Sequence, residues 1–202
     1  MNKLLAGLLL IGATLGGTTA PDGTEIQIDL PKSQHLQNMG GSDGKGLCVF
    51  TSISHSARWS RVELLENFRD YMTKYPGGGY PDKVTQYIKK IAQEKGQPVP
   101  NYVQIQGKQE TLDTLKLALK NNLCPSVTYG FSPTGRYRGQ RIAHMVTLLH
   151  LDDKNACILD NNYPGTYEWL TVDEFYRTFT AMGGSGWAVI LLDAGPPPLP
   201  WN

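Results

Sequence analysis

The chain has 202 residues, and its content of 40% hydrophobic and 18% charged residues is that of a single globular domain with a real core. Lys and Arg number 19 against 18 Asp and Glu, a net charge of +1 that sets up no field to gather nucleic acid or anionic lipid. The 22 Gly and 13 Pro favour mixed helix and strand over a helix bundle or coiled coil, and three Cys are too few for a disulfide scaffold.

Residues 1–20 read as an export signal: Lys3 supplies the charge, Leu4 to Leu15 the apolar core, and Thr14 to Ala20 a run of small residues. About a dozen apolar residues fall short of the ~20 that span a bilayer. Cleavage is expected after Ala20 or, because Pro21 would hinder that cut, near Gly16 or Gly17. The alternative is an uncleaved N-terminal anchor. Export would make the mature chain secreted or periplasmic, with no membrane segment of its own. Residues 195–202, which include the run Gly195 to Trp201, form a Pro-rich tail that excludes helix and interior strand. The folded domain is therefore expected over residues 21–194.

After a polar extended stretch, the Gly-rich segment Gly40 to Gly46 runs into Leu47-Cys48-Val49-Phe50, and apolar spacing predicts a helix from Cys48 to about Trp59. A second helical pattern covers Val62 to Tyr75. Pro76 and Gly77 to Gly79 end it, and Pro81 opens a third that runs to Gly96. A short strand near Tyr102 to Ile105 and a helix from about Glu110 to Leu119 follow. From Pro125 onward β-rich runs dominate: Ser126 to Tyr129, Ile142 to Leu151, Ala156 to Leu159 and Trp187 to Leu192. Thr171-Val172-Asp173-Glu174 is a capping box that starts one inserted helix. Helices first and then a largely antiparallel sheet make an α+β fold with two lobes.

Chemistry converges on one Cys, one His and one acid. A thiol at a helix N-terminus beside an imidazolium becomes a thiolate near neutral pH, and Cys48 stands where a Gly-rich turn becomes a helix. On position alone, a small buried core residue explains it equally well. His144 lies in Ile142 to Val146, on a rigid strand after the loop-like stretch Phe131 to Gln140, where a base can face a cleft. His150 reads as structural, His55 lies too far along the Cys48 helix to be its partner, and His35 has no assigned role. Asp160, at a strand end, can fix the tautomer of His144; Asp160-Asn161-Asn162 before Tyr163-Pro164-Gly165 also suits a plain turn. Arg136, Arg138 and Arg141 either favour an acidic substrate or sit on a solvated loop. Cys124 and Cys157 either pair or lie buried as free thiols. No spacing supports a metal site or a phosphate loop, so neither metal nor cofactor is expected.

The string Gly44 to Ser52 around Cys48, then Ala143-His144-Met145-Val146, Ile158-Leu159-Asp160-Asn161 and Leu170 to Phe175, resembles the papain-like cysteine peptidases. Within that superfamily it is most similar to the compact bacterial group that includes the double-glycine (C39-like) peptidases. The Cys-to-His separation is shorter than the ~130–150 residues of the large papain enzymes. The resemblance spans roughly residues 35–192. It implies Cys48 as nucleophile, His144 as general base and acid, and Asp160 as orienter, with Asn161 the alternative. It also implies a peptide or protein substrate cleaved at an amide bond through a thioester. The same residues would serve a transglutaminase or deamidase. One departure concerns the oxyanion donor: the family places a Gln shortly before the Cys, where Ser42 stands here. Gln37 is the expected substitute, with Gln34 and Asn38 also in reach. A binding module of the same fold without turnover is the rival reading, and a scaffold displaying the Pro-rich tail a further one.

Overall fold

The computed structural model describes residues 12–40 and 46–193. The start of the export-signal reading, the centre of the Gly-rich turn with Ser42, and the Pro-rich tail lie outside the described residues. Chain order is β1 (Thr14–Gly16), a 3-10 turn (Lys32–Gln34), α1 (Cys48–Ser60), α2 (Phe68–Met72), α3 (Pro81–Lys95), β2 (Tyr102–Gly107) and α4 (Gln109–Lys120), followed by β3 (Ser126–Tyr129), β4 (His144–Leu151), β5 (Asn155–Leu159), β6 (Tyr167–Thr171), α5 (Val172–Phe179) and β7 (Gly186–Leu191). The strands form one seven-stranded sheet in the order β1-β6-β5-β4-β3-β7-β2, with every pair antiparallel. This is the α+β class that the element order implies.

Strand alternation divides the apolar residues between two cores. From β7, Trp187, Val189 and Leu191 join Met145 and the helices α1 to α3, whereas Ala188 and Ile190 join the cluster built with α4 and α5. The first cluster is the helical lobe and the second belongs to the sheet lobe. α1 lies against β3, β4 and β7, so its first turn stands beside the start of β4.

Local rules account for the elements. Pro81 sits at the first position of α3 and Gly96 ends it at φ 60°, in the left-handed region. Thr171 and Glu174 complete the capping box of α5 in both directions. α1 is buried on nearly every side despite its hydroxyls. Thr51, Ser54 and Ser56 return their O–H to the carbonyls four residues back, and this satisfies them while the helix packs closely on the sheet.

Three elements differ from expectation. The helical pattern over 62–75 yields only α2, because Arg61 at φ 55° caps α1 and tight turns follow, with Leu65 N bonding Val62 O and Phe68 N bonding Leu65 O. β6 is unexpected because its sequence Tyr-Glu-Trp-Leu-Thr breaks simple alternation, although Asp160 to Gly165 supplies the turn that leads it back to pair with β5. β1 falls inside the stretch read as an export signal and pairs with β6. Trp169 Nε1 donates to Gly17 O at 2.9 Å, and Ala20 is buried.

Candidate functional site

Cys48 is the first residue of α1 and is 9% exposed at the floor of a cleft of about 670 Å³. His144 is the first residue of β4 and lines the same cleft. Asp160 follows β5, the strand paired with β4, so the sheet brings its carboxylate behind the imidazole. His144 Nε2 lies 2.9 Å from Asp160 Oδ1, leaving Nδ1 to face the thiol. Thus Cys48, His144 and Asp160, drawn from three separate elements, are in one place.

The carboxylate is held from every side. Asp160 Oδ1 also accepts from Asn162 N at 2.9 Å, and Oδ2 accepts from Tyr137 Oη at 2.6 Å. The Asn162 side chain donates to Tyr137 Oη at 2.9 Å. Burial opposes ionisation of Asp160, but bonds from His144, Tyr137 and Asn162 N outweigh it and hold the carboxyl below its usual range. Burial likewise disfavours the charged imidazole, yet Asp160 and Cys48 together raise His144 to about 9. For Cys48 burial pushes the thiol up, and the hydrogen bond and charge of His144 reverse this, leaving it below the ordinary value. The arrangement favours a thiolate–imidazolium pair, a nucleophile and a proton donor that face the same cleft.

Asn161 does not face His144. Its Nδ2 donates to Cys48 O at 3.1 Å, Ser52 Oγ at 2.8 Å and Met145 O at 2.9 Å, and so ties the first turns of α1 to β4. Gln37 directs its amide to Asn162 O at 3.1 Å, and its own carbonyl accepts from Arg69 at 2.8 Å. The amide on the cleft wall is that of its neighbour Asn38, whose Nδ2 bonds Asn162 Oδ1 at 2.9 Å. Gln34 occupies the 3-10 turn.

The remaining His residues have other duties. His55 is fully buried, accepts from Leu36 N at 2.7 Å and bonds Thr147 Oγ1 at 2.9 Å; burial holds it neutral down to about 3. His150 bonds Asp152, and His35 bridges Leu30 O and Gly165 N. Cys124 and Cys157 are free thiols, and burial pushes Cys124 up to about 12 and Cys157 well above its ordinary range. Among the described residues no three His, Cys, Asp or Glu side chains cluster as a metal site.

The facing wall is the loop between α2 and α3. Lys83 donates its Nζ to the carbonyls of Tyr75 at 3.2 Å, Pro76 at 3.1 Å and Gly77, a buried cation closing a ring of backbone oxygens. Gly78 and Gly79 line the cleft, and a Cβ on Gly79 would stand 2.4 Å from Val49 Cβ. The sequence reading missed Lys83 as the anchor of this loop. It likewise missed Tyr137, Asn162 and Glu168. Of the three arginines of the loop between β3 and β4, Arg136 has a side chain only 4% exposed, on the cleft wall between Asp160 and Glu168.

No family model matches the sequence, and no curated protein matches it. The solved structures include a crystal structure of a protein from Bacillus anthracis, provisionally described as a C39-like peptidase. It superposes with a TM-score of 0.53 at 14% sequence identity, over 86% of this chain and 100% of that one. The chain shares that fold; at this identity the likeness extends no further.

Proposed function

We propose that the chain is a cysteine hydrolase that cleaves an amide bond in a peptide or protein. The observation that carries this reading is the contact at 2.9 Å between buried Asp160 and His144, behind the Cys48 thiol at a helix N-terminus, with Cys48 and His144 lining one cleft. The Cys48 thiolate attacks the carbonyl carbon, and the oxygen takes the electron pair. As the carbonyl re-forms, the C–N bond breaks, and His144 gives its proton to the leaving amine, which leaves a thioester. Water then attacks the thioester as His144 takes its proton. The C–S bond breaks, the carboxylic acid departs and the thiolate–imidazolium pair is restored. Asp160 holds the ring in the tautomer that presents Nδ1 to sulfur. Asn38, whose amide lines the cleft, is the proposed oxyanion donor, with the Cys48 N–H as its companion. Export of the mature chain to a secreted or periplasmic location belongs to the same proposal.

The test is alkylation by iodoacetamide, read by peptide mass spectrometry, together with hydrolysis of a fluorogenic peptide library. Cys48 is expected to label fast well below pH 8 while Cys124 and Cys157 stay unlabelled, and His144→Ala is expected to slow it. Cys48→Ala should abolish turnover. Asn38→Ala should lower kcat about 100-fold and Gln37→Ala little. Equal, slow labelling of all three thiols would refute the enzyme. The outward turn of the Gln37 amide favours one second reading, a binding module without turnover. Fast Cys48 labelling with no hydrolysis of any library member would support it.

A further inference from the structure

Behind the Cys48–His144–Asp160 group lies a second buried set of charges. Glu168, on β6, is fully buried, and its Oε1 accepts from Ser132 Oγ at 2.6 Å, Thr134 Oγ1 at 2.8 Å and Thr134 N at 3.4 Å. Arg136 Nη1 lies 3.6 Å from Glu168 Oε2 and 3.9 Å from Asp160 Oδ2. The guanidinium donates one hydrogen bond, from Nη2 to Thr166 O at 3.2 Å, and sits over the Tyr163 ring at 5.0 Å. Nη1 itself, Glu168 Oε2 and Tyr129 Oη have no hydrogen-bond partner among the described residues.

Arg136 thus acts on both carboxylates as a charge rather than as a hydrogen-bonding fork. Two buried anions with no cation between them would force one to take up a proton. A buried ion pair is also a poor stabiliser compared with apolar packing of the same volume. Its place against Asp160 gives it an electrostatic use. The groups facing Asp160 and Arg136 are His144 on β4, Tyr137 on the loop between β3 and β4, Tyr129 on β3, Tyr163 on the loop between β5 and β6, Glu168 on β6, Cys157 on β5 and, beyond the imidazole, Cys48 on α1.

We propose that Arg136 and Glu168 are positioning residues that set the potential at the Cys48–His144 pair, Arg136 by holding Asp160 as an anion and Glu168 by cancelling the excess of that cation. The inference rests on Cys48 being the reactive thiol of the proposed hydrolase.

Opposite signs make it testable. The pH profile of iodoacetamide labelling at Cys48 is measured on the full chain for the unaltered protein, Glu168→Gln, Arg136→Gln, the double variant and Arg136→Lys. Glu168→Gln leaves a permanent cation uncompensated, so the acid limb of the profile moves down by about one pH unit. Arg136→Gln removes the cation and moves it up. The double variant and Arg136→Lys return it close to the unaltered protein, and a merely structural salt bridge predicts none of these movements. If Arg136→Gln does not fold, Glu168→Gln decides alone: a downward shift supports the proposal, and an unmoved or upward limb overturns it. Unmoved limbs in folded single variants, or shifts of the same sign, also overturn it while leaving the hydrolase reading intact. Failure of Cys48 to label in the unaltered protein overturns both.

Discussion

At the scale of single residues, His144 governs the response to pH. Its ring stays protonated up to about 9, and Cys48 loses its proton below the ordinary thiol value. Between these limits the charged pair exists. Turnover is therefore expected to be bell-shaped, with its alkaline limb near 9, where the leaving amine loses its proton donor. Alkylation of Cys48 needs only the thiolate, so its rate should hold above that limb; stopped-flow labelling beside a peptide assay separates the two. His55 makes the opposite statement about stability. Buried and neutral, it takes up a proton only near 3 in the folded state, against 6.5 when free. The unfolded chain therefore binds the extra proton first. The stability that His55 contributes is complete above about 6.5 and falls by up to ~1.4 kcal/mol per pH unit below it. His55→Gln should flatten that acid slope in urea melts while lowering stability at neutral pH, because Leu36 N and Thr147 Oγ1 lose their buried partner.

At the scale of elements, legibility followed local signals. α3 carries Pro81 and Gly96, α5 its capping box, and β3 a short β-prone run, Ser126 to Tyr129, between Pro125 and Gly130, so each is readable with no knowledge of its neighbours. β6 and β1 exist because other strands accept them: Glu168 in a strand makes sense only once Ser132, Thr134 and Arg136 surround it. Cys48, His144 and Asp160 were readable because each sits at a punctuated end, a helix start, a strand start and a strand finish. Tyr137 and Asn162 were not, since their roles depend on how the loop between β3 and β4 folds back. β1 also bears on processing. A chain starting at Pro21 would lose the β1–β6 ladder, the Trp169–Gly17 bond and the burial of Ala20. At about 1 kcal/mol per lost hydrogen bond, such a chain should be less stable than the uncleaved one by about 2–3 kcal/mol. Chemical denaturation of the two forms measures this, and mass spectrometry of exported protein shows which one the cell makes.

For the whole molecule, a net charge of +1 conceals local bias. Arg138 and Arg141 line the cleft, and among the described residues that line it none is acidic. Arg136 is paired with two carboxylates, so these two are the exposed arginines of the described cleft wall. Peptides with Asp or Glu near the cut should exceed their Lys counterparts in kcat/KM by about tenfold at low salt, and the preference should fade by 0.5 M salt as screening shortens. Arg138→Ala with Arg141→Ala should erase it with little change for neutral peptides. Composition excluded a nucleic-acid field over the entire surface but said nothing of which arginines face inward, because that depends on burial.

The state of the three sulfurs has a further consequence. Cys124 and Cys157 lie in the core as free thiols with their ionisation suppressed, and Cys48 alone opens on solvent. Peroxide reaching the cleft would oxidise the Cys48 thiolate to a sulfenic acid, itself being reduced to water, and neither buried thiol is poised as a thiolate to resolve it into a disulfide. Recovery would fall to small thiols from outside the protein. In an oxidising compartment the working lifetime of the site would then follow the ambient redox poise rather than the stability of the fold.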